Sequence, residues 1–99
     1  MIKMYDVTFE WDENKDRLNF LKHGVSFNEA LTVFFDDNAL LIVDKDHSEH
    51  EERFVILGLS KGLRLLVVCH CYRISDSVIR LISARKASKH ERDQYGGAL

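Results

Sequence analysis

The chain has 99 residues, 45% apolar and 30% charged, proportions that suit one globular domain spanning residues 1–99 and exclude disorder by composition. Its longest apolar runs, 39–43 and 65–69, are five residues each, where a membrane span needs roughly 20, and the first residues lack the apolar stretch of a secretory signal; no membrane contact and a cytoplasmic location are expected. The formal charge of -2 conceals a division: residues 1–52 hold five Lys/Arg against thirteen Asp/Glu, and residues 53–99 hold nine against three.

In chain order, Phe9 to Trp11 reads as a short strand, and Asp12 is placed to cap a helix running to about His23. Trp11, Leu18 and Leu21 give that helix an apolar side, and Gly24 supplies a left-handed end. The sequence Ser26-Phe27-Asn28-Glu29 has the form of a capping box and opens a second helix. Phe27, Ala30, Leu31 and Phe34 recur at the spacing of a core-facing stripe, and Asp36 to Asn38 end it. From Ala39 onward the pattern turns to β, with strands expected at 39–44, 53–59, 64–72 and 78–84. Ser60-Lys61-Gly62 and Ile74 to Ser77 are turns, so the economical topology is an antiparallel four-stranded meander. A second capping box, Ser88 to Glu91, begins a last helix that Gly96 and Gly97 terminate. The fold class is α+β, with two N-terminal helices and one C-terminal helix covering one face of the sheet.

Cys69 and Cys71 stand two apart on one strand, a spacing that does not favour a disulfide and agrees with a reducing compartment. Cys69-His70-Cys71 lacks the spacing of a zinc site, and the acidic stretch from Asp44 to His50 lacks the Gly and Glu positions of an EF-hand. No metal and no cofactor are expected.

Several segments, in order, resemble one family. They are Phe9-Glu10-Trp11-Asp12, Asn14-Lys15, Lys22-His23-Gly24-Val25-Ser26-Phe27, Asp44 with Asp46-His47-Ser48-Glu49, and Glu51-Glu52-Arg53. Ile79-Arg80, Ile82-Ser83-Ala84-Arg85-Lys86-Ala87, Glu91 and Tyr95 complete the set. Together they resemble BrnT toxins of type II toxin-antitoxin modules over residues 9–95. The resemblance implies a RelE-like ribonuclease fold and a toxin that cleaves RNA to inhibit translation and growth. It also implies a BrnA-type antitoxin that neutralises the toxin by direct binding and alone carries the complex to operator DNA. The alternative reading is a non-catalytic module, or a degenerate toxin, that only docks such a partner.

Metal-free RNA cleavage needs a base, an acid and cations for the charge developing on phosphate. His70, Arg73, Arg80 and Arg85 are the catalytic candidates, because imidazole titrates near neutrality and guanidinium stays charged. Arg73 beside Tyr72 suits phosphate binding with base stacking, and Lys22, His23 and Lys86 add positive charge for RNA. Lys22 and His23 equally suit the negative end of the first helix, and Arg85 can equally pair with Glu91 or Asp93. Two registers are open: Tyr72 opposite Val78 puts His70 and Arg80 on one face, whereas Cys71 opposite Arg80 puts them on opposite faces. Arg80 and Arg85, an odd number apart, point to opposite faces of a regular strand, so both can serve one site only if Arg85 lies beyond the strand's end.

Overall fold

The Asp12 carboxylate accepts from the amides of Asn14 and Lys15, and the helix that follows, α1 (Glu13–His23), ends at Gly24 with φ +70°. In the computed structural model, which describes residues 2–4, 6–44 and 52–96, α2 (Phe27–Ala30) runs directly into a 3₁₀ turn, Leu31–Phe35. The strands are β1 (Ile2–Met4), β2 (Val7–Glu10), β3 (Leu40–Asp44), β4 (Arg53–Leu59), β5 (Leu65–Arg73) and β6 (Val78–Lys86), and α3 (Lys89–Tyr95) follows. They form one sheet in the order β1-β2-β6-β5-β4-β3. β3 to β6 make the expected antiparallel meander. β2 extends it by lying parallel to β6, and β1 pairs with β2 as an additional edge.

The sheet has two different faces. On the first, Phe9, Ile56, Leu66, Val68, Ile79 and Leu81 pack against Val25, Phe27, Ala30, Leu31 and Val33 from the N-terminal helical layer. The expectation that all helices share this face is corrected by α3. Tyr95 instead closes a smaller cluster of Leu57, Leu65 and Val67 on the second face. The strand alternation demands this: Leu57, Leu65 and Val67 point away from Leu66 and Val68, and would be exposed without a cover. The Tyr95 hydroxyl donates to Asp36 across 2.5 Å. Burial first, and then the Asp36 carboxylate, push the Tyr95 pKa up to about 12.

α1 meets the sheet differently from expectation. Leu18, Phe20 and Leu21 are exposed, and the residue it buries is Asn19. β2 ends opposite Arg80, so the outer edge of β6 beyond that point has no strand neighbour among the described residues. The Asn19 side chain fills the gap. Its amide nitrogen donates to Ala84 O (2.8 Å) and Val25 O (2.9 Å), while its oxygen accepts from Ala84 N (3.1 Å). The second N-cap is half of the expected box: Ser26 Oγ accepts from Glu29 N. The Glu29 carboxylate turns to Ser60 Oγ and the Arg64 guanidinium, tying α2 to the turn between β4 and β5. The box at Ser88 and Glu91 is complete.

Candidate active site

β5 and β6 pair with Cys71 opposite Arg80 and Tyr72 opposite Ile79. This is the second of the two registers open in the sequence, and it puts His70 and Arg80 on opposite faces. The register then shifts: His70 lies opposite Leu81 but Cys69 lies opposite Ser83, so β6 carries one additional residue at Ile82. A bulge of this kind resets the alternation of the strand that contains it. Arg80 opposite Cys71 and Arg85 opposite Val67 therefore face the same way, since Cys71 and Val67 are four apart on a regular strand. The expectation that Arg85 must lie past the strand's end is corrected, because β6 continues to Lys86.

The face so built is the second one, beside the patch covered by α3. Arg53, Val55, Val67, Cys69, Ile82, Ser83 and Arg85 line an open cavity of about 250 Å³. Arg53 is opposite Cys71, as Arg80 is, so arginines from β4 and β6 flank one cysteine. Arg80 Nη1 donates to Glu10 Oε2 at 2.6 Å, from the neighbouring β2. Arg85 forms a two-pronged pair with Glu91, Nη1 to Oε1 at 2.7 Å and Nη2 to Oε2 at 2.8 Å. Those Arg85 bonds, opposed by partial burial and reinforced by Ser88, hold the Glu91 carboxyl down to about 2. About 13 Å of strand separates Arg80 from Arg85, a gap that two arginine side chains reaching inward can close on one phosphate.

The remaining candidates are dispersed. His70 is fully buried among Phe34, Phe54 and Tyr72. Its Nδ1 lies 3.1 Å from Val68 O, while its Nε2 has no partner. Burial pushes its pKa down to about 4, against the raising effect of the Val68 carbonyl. A neutral ring sealed under aromatic side chains does not reach a phosphate on the second face. Tyr72 and Arg73 are successive residues of β5 and point to opposite faces, so they do not combine ring stacking with phosphate binding at one nucleotide. Arg73, opposite Val78, is a diagonal neighbour of Arg80 but lies about 20 Å along the strand from Arg85. Arg73 and Arg85 do not grip the same phosphate. Lys22 and His23 sit in the last turn of α1, in the layer on the first face. Lys86 ends β6 opposite Leu66, away from the arginine face; the Glu29 carboxyl, held down chiefly by its Arg64 bonds, feels the Lys86 charge only as a minor contribution.

The family model described as the ribonuclease toxin BrnT of type II toxin-antitoxin systems matches residues 11–91. The chain belongs to the BrnT family. The crystal structure of the Brucella abortus ribonuclease toxin BrnT superposes with a TM-score of 0.64 at 25% identity, covering 84% of this chain and 99% of that one. No curated protein matches the sequence. The α+β architecture is that of BrnT, and membership of a type II system implies an antitoxin as partner. The BrnT match runs to Glu91, the residue that closes the Arg85 fork.

Sequence reasoning gave no site role to Arg53, Ser83, Glu10 or Glu91 of this BrnT chain. Arg53 and Ser83 enter only through the cross-strand register, and Glu10 only through the unforeseen parallel pairing of β2 with β6. Among the described residues no group of three or more His, Cys, Asp or Glu side chains is arranged to hold a metal. The acidic stretch considered as a metal loop falls at 45–51, outside the described residues, apart from Asp44 at the end of β3. No helix among the described residues is long and apolar enough to cross a membrane.

Proposed function

We propose that this chain is an RNA endonuclease toxin that works in the cytoplasm without a divalent metal, stops translation and growth, and is neutralised by a BrnA-type antitoxin. The observation that carries the reading is the β6 bulge, which turns Arg80 and Arg85 to one open face beside Arg53. Cleavage by the RNA itself requires the 2′-hydroxyl to give up its proton and attack phosphorus while the 5′-oxygen leaves and takes a proton from solvent water, giving a 2′,3′-cyclic phosphate and a 5′-hydroxyl. Negative charge builds on the non-bridging oxygens in between. Guanidinium groups fixed in a fork bind two such oxygens at once, so Arg80 and Arg85 hold the phosphate and stabilise its transition state.

Their carboxylate partners supply the proton acceptor. An incoming phosphate competes with Glu10 for Arg80 and with Glu91 for Arg85. Glu91, which the Arg85 fork holds down to about 2, returns toward the ordinary carboxylate range when the fork opens and becomes a better base for the 2′-hydroxyl. The same pairs favour the second reading, a chain that only docks its antitoxin, because both arginines are already satisfied internally.

Purified chain incubated with RNA in EDTA separates these readings. Cleavage with 2′,3′-cyclic phosphate ends is expected. Cleavage that needs added Mg²⁺ or Mn²⁺ overturns the mechanism, and no cleavage with or without metal leaves the docking-only reading.

A further inference from the structure

The far end of the first face, beyond the N-terminal helical layer, is unlike the arginine face. Leu41, Glu52, Phe54, Tyr72 and Asp76 line an open cavity of about 400 Å³ there. Two of these side chains are aromatic, two are carboxylates, and none is basic. Phe54 and Tyr72 meet edge to face, with ring centroids 5.1 Å apart. The negative charge is felt inside: burial first, and then Asp76, raise the Tyr72 pKa.

Alongside runs an unprotected strand. β3 is the last strand of the sheet, so one of its edges has no strand partner among the described residues. Its residues Leu40, Leu41, Ile42 and Val43 are all exposed, Ile42 by 61%. Natural sheets blunt such edges with charge, proline or a bulge. The run from Ala39 to Val43 contains no charged residue or proline, which is the composition of an edge that another chain covers.

We infer that this corner docks an extended segment of the antitoxin, which adds to the open edge of β3 and lays an Arg or Lys side chain into the cavity lined by Phe54, Tyr72, Glu52 and Asp76. The inference rests on the reading of the chain as a toxin held by an antitoxin. Charge decides the occupant. A phosphate or nucleotide placed here would face Glu52 and Asp76 with like charge, and an apolar side chain would strip water from both carboxylates without pairing them. A cation pairs with both and gains from the ring faces. Strand addition supplies main-chain hydrogen bonds, and the pocket supplies specificity. Tyr72 thereby serves the partner protein and not RNA.

The test uses the toxin and the product of its adjoining antitoxin gene. Glu52→Lys combined with Asp76→Asn reverses the local charge, and asparagine keeps the left-handed backbone of position 76. The variant is expected to arrest growth like the parent, while coexpressed antitoxin no longer restores growth and the complex weakens at least 100-fold. Should that variant not fold, Glu52→Gln with Asp76→Asn is expected to weaken the complex about tenfold. Undiminished rescue and affinity overturn the inference. So does loss of toxicity in a variant that melts like the parent, which would return the pocket to RNA, or a dimer of the parent chain that the variant abolishes. N-acetylargininamide titrated into the isolated chain reads the pocket independently of toxicity. Tyr72 and Phe54 ring signals should shift with it and not with N-acetylnorleucinamide. If this titration succeeds but the parent neither arrests growth nor binds the antitoxin, the toxin reading fails while the cation site stands; absence of shifts overturns the site itself.

Discussion

Replacing Asn19 tests how α1 is held to the sheet. Its side chain makes three hydrogen bonds, one to Val25 and two to Ala84, and it is 8% exposed. Asn19→Ala removes all three and leaves two carbonyls and an amide without partners in a site closed to water. A typical hydrogen bond contributes about 1 kcal/mol, so the loss is about 3 kcal/mol before any further cost for stranded groups. At about 4–8 °C per kcal/mol for a domain of this size, melting should fall by about 12–24 °C. Asn19→Asp is the sharper variant because its shape is nearly unchanged. It still accepts from Ala84 N, but its second oxygen is directed at two carbonyl oxygens and its charge is buried, so it should lose at least as much as alanine. Thermal melting by circular dichroism measures both. An Asn19→Asp chain that melts within about 4 °C of the parent would show that packing and not hydrogen bonding fixes α1.

Two further outcomes follow from groups held in unusual states. His70 titrates near 4 when folded and near 6.5 when unfolded, so the unfolded chain takes up a proton first as pH falls. Its contribution is fully present above about pH 6.5 and lost between there and about 4; stability to urea should drop by about 2 kcal/mol from pH 7 to pH 5. His70→Phe should remove that slope, whereas the Glu91 contribution, with its pKa lowered to about 2, declines only below about pH 4.5. Ile74, Ser75 and Asp76 all adopt positive φ between β5 and β6, and a β-branched residue is strained there by about 1–2 kcal/mol. Ile74→Gly, at an exposed position, should therefore be neutral or stabilising by up to about 1 kcal/mol in melting experiments, where glycine in regular structure destabilises.

What the sequence made legible is mainly local. Asp12 and Ser88 mark helix starts because their side chains satisfy specific amides, and Gly24 marks an end because it takes the left-handed conformation cheaply. The four strands of the meander also stand within a residue or two of expectation, since their β-branched and aromatic composition is strong. The association of separated elements was not legible. Val7 to Glu10 pairs with β6 in parallel, a contact between residues about 70 apart in the chain. The apolar residues of α1 suggested a buried stripe, yet a single asparagine serving a strand edge decided its orientation. The candidate site depended on the hardest feature to read. One additional residue at Ile82 reverses the parity between Arg80 and Arg85, and nothing in Leu81-Ile82-Ser83-Ala84 announces a bulge. The four-residue turn after Arg73 likewise puts Arg80 on the face opposite His70, and one more residue would bring the two to one face.

Whether Arg80 and Arg85 act on the same phosphate is decided by a double-substitution cycle. Lysine keeps the charge of each arginine but not the fork, so Arg80→Lys and Arg85→Lys should each slow RNA cleavage in EDTA by about 10²–10³-fold, the usual effect of losing a transition-state donor. Residues serving one phosphate are coupled, and the combined variant should therefore be no more than about tenfold slower than the worse single variant. Losses that simply multiply, or single variants that cleave at the parental rate while melting like the parent, would contradict the shared site.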